Sequence, residues 1–204
     1  MKTRPGLLFF LLVFGFGLFG LSGCSLWPEA QSDPTRFYVL STAAVPPNPQ
    51  WSAPTVQFRP IELAGYLSAR PMIVRKGNNE IEFREFARWG EPLDLGISRV
   101  LREELLARGA ASAVLTSGAR REHSNFDFSV SVRVLSCEGS TNGTVMFRAI
   151  WELSTTGAKA ALVSGGDYRP VDLRWDGKSE ASLAAALSQA VAGLAAEIAT
   201  ALKK

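Results

Sequence analysis

Between Phe126 and Leu153 the chain carries a two-residue apolar rhythm that leaves few options for its fold. Phe126, Phe128, Val130, Val132 and Val134 alternate with Asp127, Ser129, Ser131 and Arg133, the pattern of a strand with one dry and one wet face. Asn142-Gly143 supplies a turn that tolerates positive φ, and Val145, Phe147, Ala149, Trp151 and Leu153 then share one face of a second strand. Met146 and Ile150 make the other face of that strand partly apolar, so it is expected to be covered. Thr155-Thr156-Gly157 leads into a weaker strand around Ala160 to Arg169, where Gly165-Gly166 is expected to form a bulge. Together these segments predict an antiparallel meander of three strands.

Two segments switch to a helical period. From Ser179 to Lys203, Leu183, Leu187, Val191, Leu194, Ile198 and Leu202 recur every three or four residues, flanked by alanines that permit close packing. Lys203 and Lys204 complement the helix dipole at its C-terminal end. Earlier, Leu93, Ile97, Val100, Leu101 and Leu105 form a stripe, with Pro92 suited to the first helical position and Gly109 to the position after the end. Short strands are expected at Arg36 to Leu40, Thr55 to Ile61 and Ala113 to Leu115, with a proline-rich loop from Thr42 to Pro54. Met72 to Lys76 and Glu80 to Phe86 flank Gly77-Asn78-Asn79 as a hairpin. The order predicts one α+β domain, a mostly antiparallel sheet with two main helices packed on one face.

The first residues bear on the compartment. Lys2 and Arg4 precede the apolar run from Gly6 to Gly20, and Leu21-Ser22-Gly23-Cys24 follows. A basic start, an apolar core and small residues before a cut describe a secretory signal peptide. The uncharged stretch from Pro5 to Pro28 is also long enough for an uncleaved transmembrane anchor. Against that, four glycines dilute the apolar run from Gly6 to Gly20, and Leu-Ser-Gly-Cys resembles the lipobox of bacterial lipoproteins. That resemblance implies residues 1–23 as signal peptide and lipidation of the Cys24 thiol, with acyl chains of the palmitate kind. Residues 24–35 would form a polar tether and 36–204 the domain. Ser25 rather than Asp after the cysteine resembles the outer-membrane-sorted class.

Composition narrows the chemistry. Lys2 and Arg4 are two of the 22 basic residues; the remaining 20 face 19 acidic ones, so the mature chain is close to neutral and carries no nucleic-acid footprint. Two cysteines and one histidine exclude a disulfide framework and zinc sites built on three or four cysteines. His123 sits in a polar connector, Glu103-Glu104 point in different directions on a helix, and no glycine-rich phosphate loop follows a strand. Neither an enzyme nor a cofactor is expected. Cys137, alone after Cys24, reads as a buried small hydrophobe rather than a reactive thiol.

The feature outside the core is Ala64 to Arg75, which joins Tyr66, Leu67, Arg70 and Pro71 in a connector into a strand. One reading has Tyr66 and Leu67 capping the sheet edge beside solvated arginines. The other makes the segment a docking surface, since tyrosine and arginine are favoured anchors. Trp89, in the approach to the first helix, divides in the same way between packing and contact.

RFYVLS (Arg36 to Ser41), GYLSARPMIVR (Gly65 to Arg75), GNNEIEF (Gly77 to Phe83) and ARWGEPLDLGISRVLREEL (Ala87 to Leu105), in that order behind a lipobox, resemble the ABC-type transport auxiliary lipoproteins of the PqiC/YmbA-like kind. Ala64-Gly65 departs from the proline often seen before the Tyr-Leu pair. The resemblance implies a non-catalytic outer-membrane lipoprotein facing the periplasm. Its implied partners are a periplasmic MCE-type protein and, through it, an inner-membrane permease and ATPase. Such systems move lipids or other hydrophobic molecules and support envelope integrity. Tyr66, Leu67, Arg70, Pro71 and Trp89 are carried as partner-binding candidates. Two rival expectations stand beside this one: a module holding lipid between sheet and helices, suggested by Met146 and Ile150, and a self-assembling envelope component, a homo-oligomer.

Overall fold

A computed structural model describes residues 32–43, 52–116, 126–157 and 160–203. The chain divides into two compact units, Met1–Pro34 and Thr35–Lys204. The signal peptide, Cys24, most of the tether and His123 lie outside the described residues.

In chain order the elements are β1 (Arg36–Tyr38), β2 (Thr55–Phe58), β3 (Glu62–Leu63), a 3₁₀ turn (Gly65–Ser68), β4 (Pro71–Arg75), β5 (Ile81–Trp89), α1 (Leu93–Ala107), β6 (Ala113–Thr116), β7 (Phe128–Ser140), β8 (Val145–Thr155), β9 (Leu162–Tyr168) and α2 (Glu180–Leu202). The thirteen residues of β7 organise the sheet. One edge of β7 pairs antiparallel with β8 from Phe128↔Thr155 to Gly139↔Val145, and β8 pairs antiparallel with β9. The meander is as the alternation predicts.

The opposite edge of β7 is shared. β2 takes Phe128 to Val130, β3 takes Arg133 and Val134, and β4 takes Gly139 and Ser140, all three parallel to β7. Residues 55–75 thus track β7 in its own direction, and the sheet forks beyond them. One arm adds β6 to β2; the other adds β5 to β4 and then β1 to β5. The long ladders are antiparallel and the short ones parallel, which apolar periodicity alone does not distinguish.

Both helices pack on one face. The buried Val130, Val132, Val134, Phe147, Ala149, Trp151 and Leu153 meet the α2 stripe of Leu183, Leu187, Val191, Leu194 and Ile198, each at most 3% exposed. Ser179 caps α2, its hydroxyl accepting from the Ser182 amide. Pro92 is the N-cap of α1 rather than its first residue, and Gly109 has φ +60° just beyond the end. The length and apolarity of α2 would suit a membrane span, but its stripe is occupied by the core.

Two expectations are corrected. Met146 and Ile150 are exposed on the helix-free face, 36% and 38%, so that face is open at these positions of β8 and the pair does not line the space between sheet and helices. Gly165 and Gly166 pair in regular register with Glu152 and Trp151; the irregularity falls at Val163, between Leu153↔Ser164 and Ser154↔Leu162. The glycines serve close approach instead. A Cβ on Gly165 would lie 2.9 Å from the Trp151 carbonyl oxygen, and one on Gly166 would lie 2.7 Å from the Glu197 carboxylate.

Candidate functional site

The Ala64 to Arg75 segment bridges β3 to β4 across the middle of β7. At Leu135 the register of β7 against β8 shifts by one residue, between Val134↔Ala149 and Ser136↔Arg148. After this bulge Cys137 faces the helices with Phe147, and Glu138 falls on the helix-free face opposite Met146. A carboxylate there is completely buried, which demands partners. The segment supplies them. The Tyr66 hydroxyl donates to Glu138 Oε2 at 2.7 Å, and Arg75 Nε donates to Glu138 Oε1 at 2.6 Å. Arg75 Nη1 also donates to the Asn78 carbonyl, tying the β4–β5 turn to the same cluster.

The electrostatics follow from that geometry. Burial, then the bond and charge of Glu138, push the Tyr66 phenol well above the ordinary tyrosine range. The bond to Glu138 raises the Arg75 guanidinium further. Burial first, and Glu138 second, raise the Cys137 thiol far above the range in which a thiolate forms. Cys137 is the buried hydrophobe its sequence context suggests.

Beside this cluster lies an open depression of about 560 Å³, lined by Tyr66, Leu135, Glu138, Met146, Arg148 and Arg169 among others. Arg148 grips Asp167 through Nε and Nη2, at 2.9 and 2.7 Å. The paired Arg148, then Arg169, hold the Asp167 carboxyl down at about 2. Among the described residues no group of three or more His, Cys, Asp or Glu is placed to hold a metal ion.

A second polar cluster fixes the start of the domain. The Ser41 amide donates to Ser188 Oγ at 3.0 Å on α2, and the Thr42 hydroxyl donates to Glu104 on α1. Arg99 Nη2 donates to the Leu40 carbonyl at 2.7 Å, and Arg108 pairs with the nearly buried Glu104 at 2.9 Å. The strand next to the tether is thus pinned across both helices.

The sequence matches the family model of the ABC-type transport auxiliary lipoprotein component over residues 38–199. The chain belongs to this family. No curated relative matches it. Among solved structures, a crystal structure of an uncharacterized protein is 16% identical with a TM-score of 0.64, covering 81% of this chain and 97% of that one. A Xanthomonas campestris protein is 19% identical with a TM-score of 0.65, covering 81% and 93%. At those identities the likeness shows the fold.

In this ABC-type transport auxiliary lipoprotein the five sequence-singled residues of the domain divide by position. Leu67 and Trp89 are core residues, 1% and 5% exposed, so packing accounts for both and neither offers a surface. Tyr66 is half-buried with its hydroxyl committed to Glu138. Pro71 opens β4 opposite Arg88, and at the first residue of a strand its missing N–H is tolerated. Arg70 is exposed, and its carbonyl accepts from the Trp89 amide at 2.8 Å. The Tyr66 to Arg75 stretch is therefore chiefly a brace that holds β4 against β7.

Sequence reasoning missed Glu138 and Glu104, the two carboxylates on which these clusters turn. The signal for Glu138 was an acid set between Cys137 and Gly139 beyond the point where the alternation from Phe126 to Val134 stops. Also missed were Phe37, Phe83 and Phe86, which are exposed. Phe86 sits where alternation against the buried Ala87 and Trp89 assigns solvent, whereas Phe83 is in phase with those two and is exposed only past the register shift of the β4–β5 ladder.

Proposed function

We propose that this transport auxiliary lipoprotein is a non-catalytic adaptor, fixed to the periplasmic side of the outer membrane through acyl chains on Cys24. On this reading it receives a periplasmic MCE-type protein, and through it an inner-membrane permease and ATPase that move lipid or another hydrophobic molecule. The observation that carries it is the family match over residues 38–199 behind a Leu-Ser-Gly-Cys sequence ending at Cys24. A conduit across an aqueous compartment needs an attachment at its far end, and several acyl chains on one residue hold a domain to a bilayer where one does not.

Three features of the fold support an adaptor over a catalyst or lipid carrier. The space between sheet and helices is filled by side chains. The buried carboxylates Glu138 and Glu104 are engaged by Arg75, Tyr66, Thr42 and Arg108. Exposed Arg70 and half-exposed Pro71 lie at the rim of the braced segment, where a partner can reach them. The test is cross-linking in intact cells followed by capture of the tagged lipoprotein. Recovery of an MCE-type protein, reduced when Arg70 is changed to glutamate, is expected. Capture without such a protein, with Cys24→Ala leaving membrane fractionation unchanged, would sink the reading.

A further inference from the structure

The fork arm formed by β1 and β5 exposes an apolar surface that the core does not use. Tyr38, Ala87 and Trp89 point toward the helices, and the parallel register Phe37↔Arg88 places Phe37 and Arg88 on the other face. Phe86, two residues before Arg88, shares that face. Val39 and Phe37 flank Gly90, where an added Cβ would lie 3.2 Å from Val39 Cγ1 and 3.8 Å from Phe37 Cβ. Phe83 pairs with Ile73, two residues before the Arg75 that reaches Glu138 on the helix-free side. Four large apolar side chains are thus exposed on one face of two neighbouring strands: Phe37 64%, Val39 53%, Phe86 49% and Phe83 45%. Exposed apolar surface on that scale marks an interaction site rather than scattered surface hydrophobes.

Position and charge indicate what covers it. β1 begins one residue after Thr35, where the 11 residues that follow Cys24 end. Fully extended, that stretch spans about 40 Å, and a relaxed chain spans about half of that. A lipid on Cys24 therefore keeps this face at high local concentration beside the bilayer, so that weak contacts suffice to seat it. Arg88, which shares the Phe37 face, is exposed and forms no ion pair among the described residues; Glu85 is an exposed acid on the same strand. Aromatic rings beside an arginine suit the headgroup boundary of an anionic membrane.

We propose that the Phe37–Val39–Phe83–Phe86 face rests on the anionic phospholipid surface in which the Cys24 acyl chains are inserted, fixing which side of the domain looks away from the membrane. This rests on the anchoring part of the functional reading above. The test uses the full lipidated protein in vesicles of phosphatidylethanolamine and phosphatidylglycerol carrying a nitroxide lipid. An environment-sensitive fluorophore is placed on Phe86→Cys, separately on Phe37→Cys, and on Gln189→Cys as the control, exposed on α2 on the helix-bearing side.

The expected result is a blue shift and nitroxide quenching at positions 86 and 37, with neither at 189. Protein that floats with the vesicles but shows no quenching at either phenylalanine position overturns the proposal and leaves anchoring standing. Protein that fails to float overturns both. A blue shift at 86 and 37 already present in detergent, with light scattering showing dimers, overturns it in favour of a second copy on this face.

Discussion

The Tyr66 hydroxyl and the Glu138 carboxylate lie 72 positions apart in sequence and 2.7 Å apart in the fold. Their bond, with Arg75 on the other carboxylate oxygen, is what makes a charged group tolerable at a fully buried site. Tyr66→Phe removes one neutral donor and should cost about 1–2 kcal/mol. Arg75→Met leaves a buried carboxylate without its cation; the guanidinium is 21% exposed, so the loss should be about 2–3 kcal/mol rather than the full cost of a buried pair. The double variant Arg75→Met/Glu138→Met should be more stable than Arg75→Met alone. Urea titration of the three variants checks the order, and a double variant at least as unstable as the single would show that Glu138 is not the source.

The same bond couples stability to alkaline pH. The folded-state pKa of Tyr66 is raised by burial first and by Glu138 second, above an unfolded value of about 10. The folded state therefore holds the phenolic proton more tightly. Its contribution is whole below pH about 10 and is lost as pH rises from there toward the folded value. Tyr168, raised by burial and by Glu197, acts in the same sense. The urea midpoint should fall above pH 10, and Tyr66→Phe should lessen that fall without abolishing it. An unchanged slope in Tyr66→Phe would assign the fall to other groups.

Local pattern made much of the fold legible, and partner choice was where it stopped. The alternation from Phe126 and the stripe from Leu183 locate β8 and α2 to within a few residues and β7 as far as Val134, six residues short of its end at Ser140, because one buried face imposes a period on each. The hairpin across Gly77-Asn78-Asn79 is β4–β5, though β5 runs on through Trp89. No period tells β2, β3 and β4 that they share one edge of β7, since parallel pairing is set by distant chain. The bulge at Leu135 is equally silent, and it is the bulge that turns Glu138 to the helix-free face. Leu67 and Trp89 looked like contact residues because a connector was expected around them; the tertiary fold buries both.

Cys137 provides a check on the inner packing. It is 2% exposed, and burial lifts its thiol far from the reactive range. Thiol reagents should label it only through opening of the β7–β8 region, so native protein should react orders of magnitude more slowly than protein in denaturant. Tyr66→Phe should accelerate labelling in step with its loss of stability, if opening governs access. Fast labelling of the native protein, insensitive to that variant, would show that Cys137 is accessible without opening.

Gly193 and Tyr168 make the contact between α2 and the last strand a matter of shape. Glycine in a helix interior costs about 1 kcal/mol relative to alanine, so on propensity alone Gly193→Ala should stabilise α2. The structure predicts the reverse, because a Cβ at 193 would overlap the Tyr168 hydroxyl at the end of β9. The phenol stands at the end of a half-buried ring that packs edge-on against Phe147 at 6.1 Å, which limits how far it can swing aside. Overpacking of this kind costs about 1–3 kcal/mol, enough to outweigh the propensity gain. Removing the oxygen should relieve it: Gly193→Ala/Tyr168→Phe should be more stable than Gly193→Ala and should approach the parent protein. Thermal unfolding of the two single variants and the double variant measures that coupling. If the two changes add without coupling, the tyrosine oxygen is not what the glycine accommodates.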